Sequence, residues 1–206
     1  MSTETTKPAL QDAVLIEFIL KDQNAPSLIG DLGRLAPELS IPAADIQAVQ
    51  ALEEPRVTVY LRGLKLNANL AAIGFSAHKN LASLAVGDIE ISRLAAVKVL
   101  AGASANKAAD FHYVVRTDVL SGGEDDLEQW YDQEHLAGLA SVPGVVLAQR
   151  LVSLDAAPRY YACYDLTAPQ ILKTPEWLAV RDTAWSSRVR PTFCNTRRIP
   201  SRLLRI

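Results

Sequence analysis

Asp125-Asp126-Leu127-Glu128-Gln129-Trp130-Tyr131-Asp132-Gln133-Glu134-His135-Leu136, running on into Ala137-Gly138-Leu139-Ala140-Ser141-Val142-Pro143-Gly144, is the stretch around which this chain is organised. Ser121-Gly122-Gly123 breaks the strand before it. Glu124, Asp125 and Asp126 then set negative charge where a helix dipole is positive. Pro143-Gly144 is a stop and turn signal. The spacing predicts one helix over residues 125–141. At about 100° per residue, Leu127, Tyr131, Gly138 and Leu139 share a stripe, with Glu134 and His135 on its flanks. Tyr131 and His135 stand four apart and so are neighbours on one face. A proton-transferring pair can be built at that separation.

Outward from this helix, the order of elements is written twice. The first half reads as a strand over 13–20, a helix over 27–39, strands over 46–52 and 56–62, a helix over 67–84 and a strand over 89–99. A run of small residues, Ala101 to Asn106, follows. The second half reads as a strand over 111–120, the helix over 125–141, strands over 145–154 and 159–166, helix over 169–187 interrupted at Thr174-Pro175, and a strand over 191–199. Glu54-Pro55-Arg56-Val57 and Ala157-Pro158-Arg159-Tyr160 open the third strand of each half. Both halves follow the β-α-β-β-α-β plan of the ferredoxin-like fold. The expected divisions are a disordered leader over 1–10, a first half over 11–100, a linker over 101–108 and a second half over 109–206.

Trp130-Tyr131-Asp132-Gln133-Glu134-His135-Leu136, then Val142-Pro143-Gly144, then a strand ending in Arg150, resembles the EthD-like branch of the dimeric α+β barrel proteins. Members of that branch often read W-Y-x-x-E-H, V-P-G and x-x-R in this order. Pro158-Arg159-Tyr160-Tyr161 and Pro175-Glu176-Trp177 also fit, so the likeness covers residues 108 to 206. A four-stranded sheet with helices on one face needs cover on the other. The resemblance implies that two such sheets face each other as a barrel, usually from two chains. Here one chain carries both halves. The expected fold class is therefore α+β, with two ferredoxin-like repeats forming a fused pseudo-dimeric barrel and any cavity between the sheets. A further homodimer of fused chains is compatible with this plan.

Whole-chain properties narrow the function classes. The 206 residues are 49% hydrophobic and 21% charged, ordinary for a globular protein with a packed core. A net charge of −2 gives no electrostatic footprint for nucleic acid or an anionic membrane. The late basic residues Arg188, Arg190, Arg197, Arg198, Arg202 and Arg205 read as the solvent face of a last strand and tail. Cys163 and Cys194 read as buried free thiols in a reducing cytoplasm. No secretory leader and no membrane span is apparent.

The chemistry is lopsided, because Leu28-Ile29-Gly30-Asp31-Leu32-Gly33-Arg34-Leu35 in the first half has neither histidine nor aromatic residue. The second half is expected to carry one site, with the first half as wall and lid. His135 is the candidate general acid or base; the plainer alternative is an imidazole satisfied by a backbone group or by Glu134. Tyr131 is a candidate hydrogen-bond donor or a core residue, and Glu134 a candidate orienter of His135. Candidate substrate contacts are Trp130, Arg150 as a carboxylate anchor, Tyr160 on an aromatic third strand, and Trp185 near the barrel mouth. Alternation puts His112 and Tyr113 on opposite faces of one strand and leaves open which face meets the ligand. His78 sits among polar neighbours and reads as exposed. No spacing argues for a metal site, and no phosphate-cradling or nucleophile-elbow motif occurs.

These residues lead to an expected cofactor-independent lyase, decarboxylating or ring-opening a hydrophobic aromatic or polyketide-like acid by histidine and tyrosine proton transfer. The resemblance is the ground for that reaction class. The alternatives are an isomerase or cyclase on the same scaffold, a non-catalytic protein that binds a hydrophobic small molecule, and a haem-dependent oxidoreductase, since haem-binding relatives exist on this barrel.

Overall fold

A computed structural model describes residues 8–206; most of the leader expected over 1–10 lies outside the described residues. The chain forms two compact units. The N-terminal unit comprises Gln11–Ala95 with Ser201–Ile206, and the C-terminal unit comprises 8–10 with Ala96–Pro200.

In the N-terminal unit, β1 (Ala13–Leu20) pairs antiparallel with both β3 (Arg56–Arg62) and β4 (Ala85–Ala101). β2 (Ile46–Ala51) pairs with β3 and with the end of β8 (Phe193–Leu204). The alternate residues Val14, Ile16, Phe18 and Leu20 pack with Leu28, Leu32, Leu35, Ile73, Ala77 and Leu81 of the helices. Those helices are α1 (Leu28–Gly33), α2 (Leu35–Leu39) and α3 (Leu70–Leu81). The single helix expected over 27–39 is two, and Ser27 makes no side-chain cap. The helix expected from residue 67 begins later because Asn69 caps it, its Oδ1 accepting from the amides of Ala71 and Ala72 at 3.1 Å each.

In the C-terminal unit, β5 (Phe111–Val119), β6 (Val145–Ser153) and β7 (Tyr160–Leu166) pair antiparallel, with β7 in the middle. The register sets His112 opposite Asp165, Val114 opposite Cys163 and Arg150 opposite Ala162. Through the whole chain the strand order is β1-β3-β2-β8-β5-β7-β6-β4, closing as an eight-stranded antiparallel barrel. β4 and β8 are longer than the strands expected over 89–99 and 191–199, and each contributes to both units.

The central helix is present with one change of geometry. α4 (Glu124–Trp130) passes into a π-helical turn over Tyr131–His135 and then into α5 (Leu136–Ala140). A π turn inserts extra residues into the helical repeat, so the uniform 100° stripe does not carry through it. α6 (Pro175–Arg181) begins with Pro175 in its first turn, and Thr174 Oγ1 accepts from the Trp177 amide at 3.3 Å. α7 (Ala184–Val189) is capped in the same way by Thr183 on the Ser186 amide at 3.0 Å. Leu127, Trp130, Leu136, Leu139, Tyr164, Trp177 and Val189 form the core between these helices and the sheet. Among the described residues no helix is long and apolar enough to cross a membrane.

The stretch after β4 is tied to the C-terminal unit by three backbone bonds: Gly102 to Val146, Ala103 to Ala140 and Ser104 to Val145, at 2.8–2.9 Å. Ser104 Oγ also accepts from the Gly144 amide at 2.9 Å. This close approach requires glycine at 102, because a Cβ there would lie 2.1 Å from the Val145 carbonyl oxygen. Gly102→Ala is accordingly expected to destabilise the protein by on the order of 3 kcal/mol, measured as a lowered urea midpoint with unchanged m-value.

Candidate functional site

Strand alternation sorts the second-half candidates into two groups. Tyr113 and Tyr164 lie on the helix side, where both rings meet Trp177 edge-on at centroid separations of 6.1 and 5.2 Å. His112, Cys163 and Asp165 project from the opposite face of the same sheet. The face left undecided by the sequence is therefore settled for the cavity described next: Tyr113 meets it and His112 does not.

That cavity lies between the sheet and its helices and is lined by Tyr113, Trp130, Tyr131, His135, Tyr164 and Trp177, among others. It is small, about 30 Å³, and opens to solvent beside Arg181, Arg190 and Arg198. Three polar atoms of its lining residues are buried with no hydrogen-bond partner: His135 Nδ1, Trp130 Nε1 and the Tyr164 hydroxyl. Each such orphan costs about 1–3 kcal/mol when nothing occupies it. Three lining one cavity mark a place built for a polar guest.

The π turn places the central member. It carries Tyr131 and His135 inward together, both buried. The His135 ring lies flat on Trp130, with centroids 3.9 Å apart and planes 20° off parallel, and meets Tyr131 edge-on at 5.4 Å. With Nδ1 unpartnered, the hydrogen bond to the Val180 backbone falls to Nε2–H. Burial pushes the His135 pKa down to about 3; the Val180 bond opposes this, and Arg181 and Arg190 add to it. The imidazole is thus neutral near pH 7, with an unpartnered lone pair on Nδ1. Burial has the opposite effect on the phenols. Tyr131 is pushed up to about 12, partly offset by Arg150, and Tyr164 lies well above its ordinary value. Both remain hydrogen-bond donors.

The other candidates have different employment. Glu134 accepts from Thr183 Oγ1 at 2.6 Å and so braces the start of α7, whereas the Val180 backbone holds His135. Arg150 is buried with its guanidinium 4.2 Å over the Tyr131 ring and bonded to both Glu128 carboxylate oxygens at 2.8 and 3.3 Å. It lines a separate and larger hollow of about 250 Å³ with Val97, Lys98 and Glu128, where Lys98 pairs with Asp132. Its charge is already answered there. Tyr160 is buried beneath Arg159, 5.6 Å above its ring. Trp185 donates from Nε1 to Asp126 at 2.8 Å, under Arg188. The Arg188 and Trp185 bonds hold Asp126 down at about 2. His78 is exposed.

Sequence reasoning passed over Trp177, Arg181, Arg190 and Arg198 as parts of this cavity. The signal for the first two was the four-residue spacing of Trp177 and Arg181 after the Pro175 start, which puts them on one helix face. Arg190 and Arg198 left no such trace, since their shared wall depends on how β8 returns beside β5.

No protein-family model and no curated protein matches the chain. Solved structures do match over nearly their full length. A candidate monooxygenase from Fusobacterium nucleatum superposes with a TM-score of 0.66 at 8% identity, covering 96% of this chain and 94% of that one. A candidate monooxygenase from Lactobacillus acidophilus gives 0.64 at 12% identity, with 94% of each chain covered. An anthrone oxidase-like protein gives 0.64 at 14% identity, covering 96% and 92%. Fold and comparisons together define a dimeric α+β barrel of the ferredoxin-like type, with both halves in one chain.

Proposed function

We propose that the protein is a cofactor-independent enzyme of the EthD-like kind. It would remove a proton from a hydroxylated or enolisable aromatic or polyketide-like compound, at one site per chain in the C-terminal unit. The observation that carries this reading is that His135, Trp130 and Tyr164, each with a buried polar atom that has no hydrogen-bond partner, line one cavity. An acceptor beside two donors matches a substrate that loses a proton at one atom and gains negative charge on a nearby oxygen. Burial sets the low proton affinity of His135, and an oxyanion forming beside it favours the imidazolium. The resulting carbanion then meets dioxygen, converting a CH2 group to a carbonyl with release of water. The names of the matched structures, monooxygenase and anthrone oxidase-like, support this second step.

Decarboxylation, the lyase reaction expected from the sequence, uses the same pocket less well. A histidine that is neutral and held as an acceptor does not supply the acid that protonates the carbanion left by carbon dioxide. Isomerisation shares the proton-removal step and differs in lacking oxygen uptake. Of the two buried histidines, His112 is already held by Asp165 and Cys163 and so is not free to bind a haem iron.

The test is carbon–deuterium exchange in D2O on a panel of anthrones and hydroxylated aromatics, followed by NMR, with oxygen uptake and carbon dioxide release recorded in parallel. Protein-dependent exchange with oxygen uptake is expected. Exchange with carbon dioxide release instead restores the lyase, and no exchange on any member of the panel defeats proton removal.

A further inference from the structure

Arg181 at the end of α6, Arg190 just after α7 and Arg198 on β8 come from three separate elements and line the mouth of one cavity. None of the three has a carboxylate partner among the described residues; a hydrogen bond runs from Arg190 Nη1 to the Arg181 backbone carbonyl at 3.3 Å. The contrast with neighbouring cations is sharp. Arg188 is bonded to Asp126, Arg150 to Glu128 and Lys98 to Asp132. Three like charges gathered without counter-ions repel one another and lower stability, so their collection along one cavity calls for an anion that the protein itself does not provide. Behind them the wall is aromatic, formed by Tyr113, Trp177 and Phe193. The fields of the three cations reach that wall: burial raises the Tyr113 hydroxyl, and Arg198, Arg181 and Arg190 each pull it back.

We propose that Arg181, Arg190 and Arg198 form the anchor for a carboxylate on the substrate, whose ring lies against Tyr113 and Trp177 while its hydroxyl or enolisable carbon reaches His135. This deepens the proposed function and rests on the cavity being the substrate site. The substrate class becomes an aromatic acid. The carboxylate role expected of Arg150 passes to these three residues, because Arg150 is already bonded to Glu128. The assignment also bears on the reaction. A carboxylate held by cations is stabilised in the ground state and loses that stabilisation as carbon dioxide leaves, so the anchor disfavours decarboxylation and suits a reaction elsewhere on the ring.

The experiment is calorimetric titration of the full chain with salicylate and with salicylamide, which share ring and hydroxyl and differ in charge. Salicylate is expected to bind more tightly, with an affinity that falls as salt rises. Arg198 is exposed, so Arg198→Gln leaves the packing intact; it is expected to weaken salicylate about 3-fold. The triple Arg181→Gln, Arg190→Gln, Arg198→Gln variant is expected to weaken it about 30-fold, if the three act independently, with salicylamide unchanged. Equal binding of both compounds, insensitive to the arginines, would overturn the anchor and leave the cavity reading standing. Absence of binding by either compound overturns both.

Discussion

Replacing His135 by alanine is expected to lower turnover by about 10²–10⁴-fold, the usual contribution of a positioned acid or base. The same change should abolish deuterium exchange while leaving the fold intact. The expectation follows from local geometry. The imidazole is clamped between Trp130 at 3.9 Å and the Val180 backbone, and its Nδ1 is left without a hydrogen-bond partner. His135→Gln is the informative companion, since it keeps a hydrogen-bonding side chain without a basic nitrogen. If glutamine restores turnover, His135 orients the substrate and does not take its proton. The pH profile separates the roles further. An ordinary histidine base gives an acid limb near pH 6.5. With the folded-state value pushed down to about 3 by burial, the basic form persists to much lower pH, and kcat/KM should stay level between pH 5 and 7. A limb near 6.5 would show that the lone pair is not sequestered as the structure has it. The Trp130→Phe variant removes one orphaned donor while keeping the stacking surface, so it should lower kcat more than it raises KM.

The fold was legible because its determinants are local. Alternation in Ala13–Leu20 and Phe111–Val119, the stop at Pro143-Gly144 and the repeated Pro-Arg openings of the third strands are written in consecutive residues. The helix carrying Trp130, Tyr131 and His135 was legible for the same reason, but its π turn was not. Nothing in the residue types of Tyr131–His135 announces the wider turn. The site was half legible. His135, Trp130, Tyr131 and Tyr113 line the cavity, whereas Arg150, Glu134, His112, Tyr160 and Trp185 serve other contacts. A charged residue's partner lies far along the chain, as Glu128 does for Arg150 and Thr183 for Glu134. Sequence spacing cannot reveal which charges are already matched, and for that reason Arg150 stood out where Arg181, Arg190 and Arg198 did not.

His112→Leu is expected to destabilise the protein by about 3–5 kcal/mol, the cost of breaking a buried ion pair by removing one member. His112 Nδ1 lies 2.7 Å from Asp165 Oδ1, with the histidine side chain fully buried and that of Asp165 nearly so. Burial alone would lower the His112 pKa. The Asp165 bond and a further bond with Cys163 outweigh it and raise the value to about 9. The sign of the pH dependence follows. A folded-state value above the unfolded one, near 6.5, means that the folded chain binds the extra proton. The stabilisation is fully present below pH 6.5 and is lost as the pH rises through about 9. Urea midpoints measured from pH 6 to 10 should therefore fall across that window in the wild type and stay flat across it in His112→Leu. The double variant His112→Leu, Asp165→Leu removes both charges. It should recover much of the loss, because an apolar pair of similar volume replaces a desolvated ion pair at little cost. If the single variant is as stable as the wild type at pH 6, the pair is not ionised and His112 is an ordinary neutral core residue. Placed on the sheet face away from His135, this pair is expected to govern stability and not turnover, so the two histidines should separate cleanly: His135→Ala in the assay, His112→Leu in the denaturation curve.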